Sequence, residues 1–231
     1  MELKRIKRVE AFDFDDTLAK TRSKIGVKLE NDSTNFADFL EGNGLEVLDD
    51  KAGFLWLCSG DYVILEDISP PPGDRFIFDY HEAMNINLRT AKGIRPLLEK
   101  LLAAQRDPET LPIILTARPG VRTEFSPYLQ KDVKCKNRTK ITRFLSRRGI
   151  EIPSENLHTV GDTLGDTAEA KASVLDMYFQ AYGPVEVIFY DDGLRNIRAA
   201  CRLKNHLPSG SRLKVYQAVD GKCKLWCSHV G

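Results

Sequence analysis

Asp13-Phe14-Asp15-Asp16-Thr17 puts three carboxyls and a hydroxyl into five residues near the N-terminus. Ahead of them, Ile6, Val9, Ala11 and Phe12 form a short apolar run with no clean alternation. A strand buried on both faces of a parallel sheet reads that way. Ligands of open α/β sheets bind beyond the carboxyl ends of the strands, which is where these acids would stand. Asp13 and Asp15 are two apart and project to the same side of a strand end. Carboxyls held that close resist joint ionisation: one tends to keep a proton while the other serves as nucleophile or metal ligand. A polar turn after a strand has the same composition, so the rest of the chain decides between the two.

The chain has 231 residues, enough for one domain with an insertion or for two small ones. Its 42% hydrophobic and 29% charged content predicts a soluble, cored protein rather than a disordered one. A formal net charge of +1 gives no global attraction to a polyanion. Five cysteines, at 58, 135, 201, 223 and 227, form no regular framework and read as reduced thiols. The first residues contain no apolar signal core, and no run is long enough to span a bilayer. These features together predict an intracellular, cytoplasmic protein without a membrane segment.

Lys4, Arg5, Lys7 and Arg8 read as a solvated stretch before the first strand. Residues 22–90 interrupt the βα pattern. Within them we expect a strand at Arg22–Glu30, a short helix at Asn35–Leu40, and a hairpin of Phe54–Cys58 and Tyr62–Glu66 around Ser-Gly-Asp. Pro70 to Pro72 and Gly73 then break the pattern. This is a small, mostly β insertion, with Trp56, Phe76, Phe78 and Tyr80 as its own core. Thr90–Gln105 carries Ile94, Leu97, Leu98, Leu101 and Leu102 at helical spacing. The second buried strand, Leu111–Ala117, ends in Thr116, followed by Ala117, Arg118, Pro119 and Gly120. A hydroxyl and backbone N–H groups at such an end can hold a phosphoryl oxygen.

From Lys131 to Arg148, eight basic residues face one acid, Asp132. On a helix over Thr139–Arg148, Lys140, Arg143 and Arg147 share a face, either solvated or a local polyanion patch. A third strand is expected at Asn156–Val160, a helix at Thr167–Tyr182 with Lys171 near its first turn, and a fourth strand at Val185–Tyr190 that runs into Asp191-Asp192. A helix at Ile197–Lys204 and a fifth strand at Leu213–Val219 complete the sheet. Cys223 and Cys227 lack a second ligand pair and read as buried or incidental thiols rather than a zinc site.

In a parallel sheet all these strand ends open on one side. A carboxylate attacking a phosphate ester meets an anion, so the reaction needs positive charge. A lysine supplies some, and so does a divalent cation such as Mg²⁺ held by acids. In this order the residues resemble the haloacid dehalogenase (HAD) superfamily of phosphohydrolases. The matching motifs are D13-F-D15-D-T17, I-I-L-T116, Lys171, and D191-D192-G-L-R-N196.

The resemblance implies an α/β fold, a Rossmann-like three-layer sandwich with a central parallel sheet. Its core would span 1–21 and 91–231, and a substrate-selecting cap would occupy 22–90. It implies a phosphomonoester hydrolase in which Asp13 is the nucleophile. Asp15 would protonate the leaving group and then deprotonate water, its backbone carbonyl also binding Mg²⁺. Thr116 would bind a phosphoryl oxygen, Lys171 would orient Asp13 and offset charge, and Asp191 and Asp192 would complete the metal site. Thr17, Ala117, Arg118 and Asn196 are the implied substrate contacts.

A second assignment inside the chain uses Lys140 with Gly161-Asp162 and Asp166 for the last two motifs. Strand order favours Lys171 with Asp191 and Asp192, because Asn156–Val160 fits the superfamily's outlying third strand. The second half is also similar to nucleic-acid end-repair members. The resemblance thus implies as substrate either a phosphorylated small molecule or a phosphorylated nucleic-acid end, the latter hydrolysed by a polynucleotide 3′-phosphatase. A non-catalytic HAD-fold binding module is the third option; it would have no need of Asp13, Asp15 and Lys171 together.

Overall fold

The computed structural model describes residues 6–31, 35–163 and 165–231; Lys4 and Arg5 of the basic run lie outside the described residues. The chain divides into two compact units. The first comprises Met1–Thr21, Leu88–Gly120 and Asn137–Gly231; the second comprises Arg22–Asn87 and Val121–Lys136. Seven α-helices are present among the described residues. None of the helices there is long and apolar enough to cross a membrane.

The first unit is built on six strands: β1 (Arg8–Phe12), β2 (Thr110–Thr116), β3 (Leu157–Thr159), β4 (Glu186–Asp191), β5 (Arg212–Val219) and β6 (Lys222–Val230). Their spatial order is 3-2-1-4-5-6, and only β6 runs antiparallel. Central position explains the near-continuous apolar runs. β1 pairs with β2 and β4, so Phe12 lies beside both Ile114 and Tyr190. β4 is buried from Val187 to Asp191. The strand order reverses about β1, one side continuing through β2 and the other through β4. Splayed connections at such a reversal leave a crevice beyond the strand ends.

Four helices follow the strands: α1 (Arg95–Arg106), α2 (Asn137–Ser146), α3 (Thr167–Tyr182) and α4 (Leu194–Arg202). Val9, Ala11, Val187 and Phe189 face Leu175 and Phe179 of α3 and Ile197 of α4 in one core. The opposite face carries Phe12 stacked on Tyr190, with Lys100 of α1 above the Tyr190 ring. Pro96 sits in the first turn of α1, where its missing N–H costs no helical bond. Asp166 caps α3 by accepting from the Ala168 N–H, and Gly183 ends it at φ +67°.

β6 is absent from the sequence reading. Asp220-Gly221 turns the chain with φ of +48° and +79°, the positive pair that a two-residue hairpin loop requires. The returning strand places Cys227 against α4, where it forms a disulfide with Cys201 at a Cα separation of 6.4 Å. The expectation of five reduced thiols is therefore corrected: Cys201 and Cys227 are joined, and Cys58, Cys135 and Cys223 are in no disulfide.

The second unit holds a four-stranded antiparallel sheet in the order Asp49–Lys51, Phe54–Cys58, Lys24–Leu29, Phe76–Asp79. Three short helices accompany it, Phe36–Gly42, Ser59–Glu66 and His81–Met84. It is mixed rather than mostly β. The expected hairpin strand at Tyr62–Glu66 is helical, because the Cys58 sulfur accepts from the Asp61 N–H and starts a turn. Leu65 enters the core while Ile64 stays half exposed, a helical pattern that a run of apolar residues conceals.

The unit also takes a second segment beyond the expected 22–90, the hairpin Thr123–Ser126 with Lys131–Lys134. Buried Asp79 fastens that hairpin to the sheet by accepting from Ser126 Oγ (2.5 Å) and the Tyr128 N–H (2.9 Å). Trp56 is buried among Phe54, His81 and Tyr128, and Phe76 and Phe78 pack against the apolar core.

Candidate active site

Asp13 follows β1 directly, and its N–H donates to Tyr190 O at 2.9 Å, extending the β1–β4 ladder by one residue. Asp191 ends β4 beside it. Between the two carboxylates lies Lys171 from the second turn of α3, whose Nζ donates to Asp13 Oδ1 and to Asp191 Oδ2, both at 2.7 Å. All three are buried, with Lys171 1%, Asp13 4% and Asp191 0% exposed. Three charged groups leave water together only when they pair.

Asp191 Oδ1 accepts from the Gly193 N–H (2.9 Å) and from Asn196 Nδ2 (2.8 Å). Asn196, an expected substrate contact, thus holds Asp191 in place. Asp191 is left with one unfilled lone-pair site, on Oδ2. Asp192 is less enclosed, and Thr17 Oγ1 lies 3.5 Å from its Oδ1, at the limit of a hydrogen bond. Thr17 is itself buried.

Asp13, Asp191 and Asp192 offer carboxylate oxygens within 4.8 Å of one another. Three acids against one ammonium is a surplus of negative charge. Burial pushes Asp13 well above the usual carboxylate range; Lys171 opposes the shift and the neighbouring acids add to it. Burial, reinforced by Asp191, raises Asp192 to about 7. For Lys171 burial acts downward, but Asp13 and Asp191 outweigh it and the ammonium is held above its ordinary value. An all-carboxylate set short of positive charge fits a hard divalent cation such as Mg²⁺. Asp13 and Asp192 have the freest oxygens for one.

Asp15 has partners of its own. It is clamped by Arg118, which donates through Nε and Nη2 at 2.7 Å each, and by Thr21 Oγ1 at 2.5 Å. Arg118, another expected substrate contact, is therefore buried on a carboxylate. Thr21 is a site residue that the sequence reading missed. Nothing in its spacing marks it, because it reaches Asp15 only through a turn in which Asp16 adopts φ +52°. Thr116 is buried at the end of β2, and its hydroxyl accepts from the Arg118 N–H at 3.2 Å. Ala117 lies between them in the same loop.

The residues of the second assignment make further contacts among the described residues. Asp162 Oδ2 accepts from the Gly120 N–H at 2.6 Å, and Gly161 N–H donates to Arg118 O at 3.2 Å, so that segment laces the β3 loop to the β2 loop. Asp166 is the α3 cap and pairs with Arg195. Lys140 lies on α2, and the lysine on Asp13 is Lys171.

No family model, curated protein or solved structure matches the chain.

Proposed function

We propose that the protein is a Mg²⁺-dependent phosphohydrolase of the HAD superfamily type, with a Rossmann-like core, that cleaves a phosphomonoester through an aspartyl-phosphate on Asp13. The supporting observation is the buried Lys171 ammonium fixed between Asp13 and Asp191 at the reversal point of a parallel sheet. A carboxylate nucleophile that meets a phosphate dianion needs that cation. A structural ion pair in a core gains little over apolar packing, so its burial at a strand-end crevice argues for use.

Lys171 takes up one oxygen of Asp13 and leaves the other for phosphorus. Asp192, Asp13 and the Asp15 backbone carbonyl would hold Mg²⁺, with Asp191 steadying the group through Lys171. The bound cation offsets the charge of the phosphoryl group. Asp15 moves the proton, and the Thr116 loop receives a phosphoryl oxygen. The second unit would serve as the substrate-selecting cap.

One observation keeps a phosphorylated polynucleotide end as a second reading. Arg143 and Arg147 stand exposed one turn apart on and just after α2, and neither has an ion-pair partner among the described residues. Phosphate release should be followed on nucleotides, sugar phosphates and 3′- and 5′-phosphorylated oligonucleotides, with Mg²⁺ and with chelator. Turnover should need Mg²⁺ and vanish in Asp13→Asn. A KM rising steeply with salt on oligonucleotides alone selects the polynucleotide substrate. Full turnover by Asp13→Asn refutes the mechanism.

A further inference from the structure

The hydrogen bonds on Asp15 close a ring. Arg118 Nε reaches Oδ2, Nη2 reaches Oδ1, Thr21 Oγ1 donates to Oδ1, and Nη2 also donates to Thr21 Oγ1 at 3.0 Å. Arg118 is 7% exposed, so its guanidinium has left water for this carboxylate. The two-pronged fork fixes the plane of the carboxylate as well as its position. Arg118 is rooted at the end of β2 through its N–H bond to Thr116, whereas Asp15 and Thr21 belong to the segment that leaves β1. The ring thus ties the segment after β1, which begins with Asp13, to the segment after the neighbouring β2.

Every partner of Asp15 in this ring is a donor. A guanidinium has no acceptor, and the Thr21 hydroxyl already accepts from Arg118 and spends its hydrogen on Asp15. Oδ1 therefore has both lone pairs filled, while Oδ2 accepts from Nε alone and keeps one lone pair, in a fixed direction, for an incoming proton.

Resting on the phosphohydrolase reading, we propose that Arg118 and Thr21 are positioning residues that aim Asp15 as the base for hydrolysis of the aspartyl-phosphate. In that step the oxygen of a water attacks phosphorus. The P–O bond to Asp13 breaks with its electron pair left on the Asp13 carboxylate. The water proton passes to Asp15, and inorganic phosphate departs. Arg118 then serves the second half-reaction rather than binding the incoming ester.

Rapid-mixing kinetics with p-nitrophenyl phosphate and Mg²⁺ test this, because p-nitrophenolate leaves without a proton and spares the first half. Arg118→Lys keeps a charge but loses the fork, while Thr21→Val keeps the shape but loses the hydroxyl. Both should show a burst approaching one p-nitrophenolate per chain, followed by a steady rate roughly 100-fold below wild type, the usual scale of proton-transfer catalysis. KM should fall with kcat, leaving kcat/KM near wild type, and Thr21→Ser should restore the rate. Thr21→Val carries the test should Arg118→Lys fail to fold, as judged by its melting curve. A raised KM with unchanged kcat and no burst overturns the proposal and returns Arg118 to substrate binding. A wild type that turns over while both variants lose kcat/KM without a burst overturns the clamp alone. A wild type that releases nothing from any ester removes the phosphohydrolase reading as well.

Discussion

Lys171 faces more acid than it can neutralise. Replacing it with methionine keeps the bulk and strands Asp13 and Asp191 without a counter-charge. Breaking one side of a buried ion pair costs about 3–5 kcal/mol. Lys171→Met should therefore lower the urea midpoint severely near pH 8, and less at acid pH, where the stranded carboxyls take up protons. An unchanged midpoint would mean that the pair is not buried as described. The wild type has a pH signature of its own. Burial raises Asp13 and Asp192 above the ordinary 3.8, so the folded chain keeps protons that the unfolded chain has lost. Stability without a divalent cation should then fall as pH rises from about 4 to about 7. Lys171 shifts upward too, so its contribution is complete below its ordinary value and is lost only in strong alkali. Thermal unfolding in chelator should show Tm falling through that window, and Mg²⁺ should raise Tm most at its upper end. A Tm that climbs with pH would contradict the surplus of acid.

The elements that hold these residues differ in how plainly the sequence shows them. β2 and β4 are near-continuous apolar runs and β1 is a short apolar stretch interrupted by Glu10; all three lead into polar groups, and α3 begins and ends close to where its pattern predicts. These four carry Asp13, Thr116, Asp191 and Lys171, so their places at strand ends and a helix start were legible, while the choice of Lys171 over Lys140 came from the resemblance. The loops were not legible. Gly161 looks like part of a metal motif, yet a Cβ there would lie 2.2 Å from Ala117 O and 2.6 Å from Pro119 N. Its role is close approach of the β3 loop to the β2 loop, a contact between residues far apart in sequence. Gly161→Ala should displace the Thr116–Gly120 loop, since Ala117 O and Pro119 N are backbone atoms that cannot swing aside. We expect a large loss of turnover together with a lower Tm. Wild-type activity in Gly161→Ala would show that the loops need not touch. The Arg118–Asp15–Thr21 ring was hidden for the same reason, and so was the helix at Ser59–Glu66, where apolar composition masked the period.

At the scale of the whole chain, sequence order misleads where one compact unit draws on two segments. Val121–Lys136 lies between β2 and α2 but belongs to the unit built from Arg22–Asn87. Short charged strands such as Lys131–Lys134 carry no apolar signature to reveal it. β6 escaped notice because an edge strand alternates only weakly, and the Cys201–Cys227 link could not be inferred until that strand was in place. The mixed α/β architecture, by contrast, follows from buried strands alternating with amphipathic helices, a pattern that survives both interruptions. On the proposed mechanism, Asp13 carries the phosphoryl group during turnover. The most direct test is to quench the protein with acid during turnover of p-nitrophenyl phosphate and Mg²⁺, digest it, and weigh the peptide that contains Asp13. One added phosphoryl group on Asp13, absent in Asp13→Asn and lost when the substrate is used up before the quench, is the predicted result. Turnover with that peptide unmodified, or with the phosphoryl group on another residue, would contradict it.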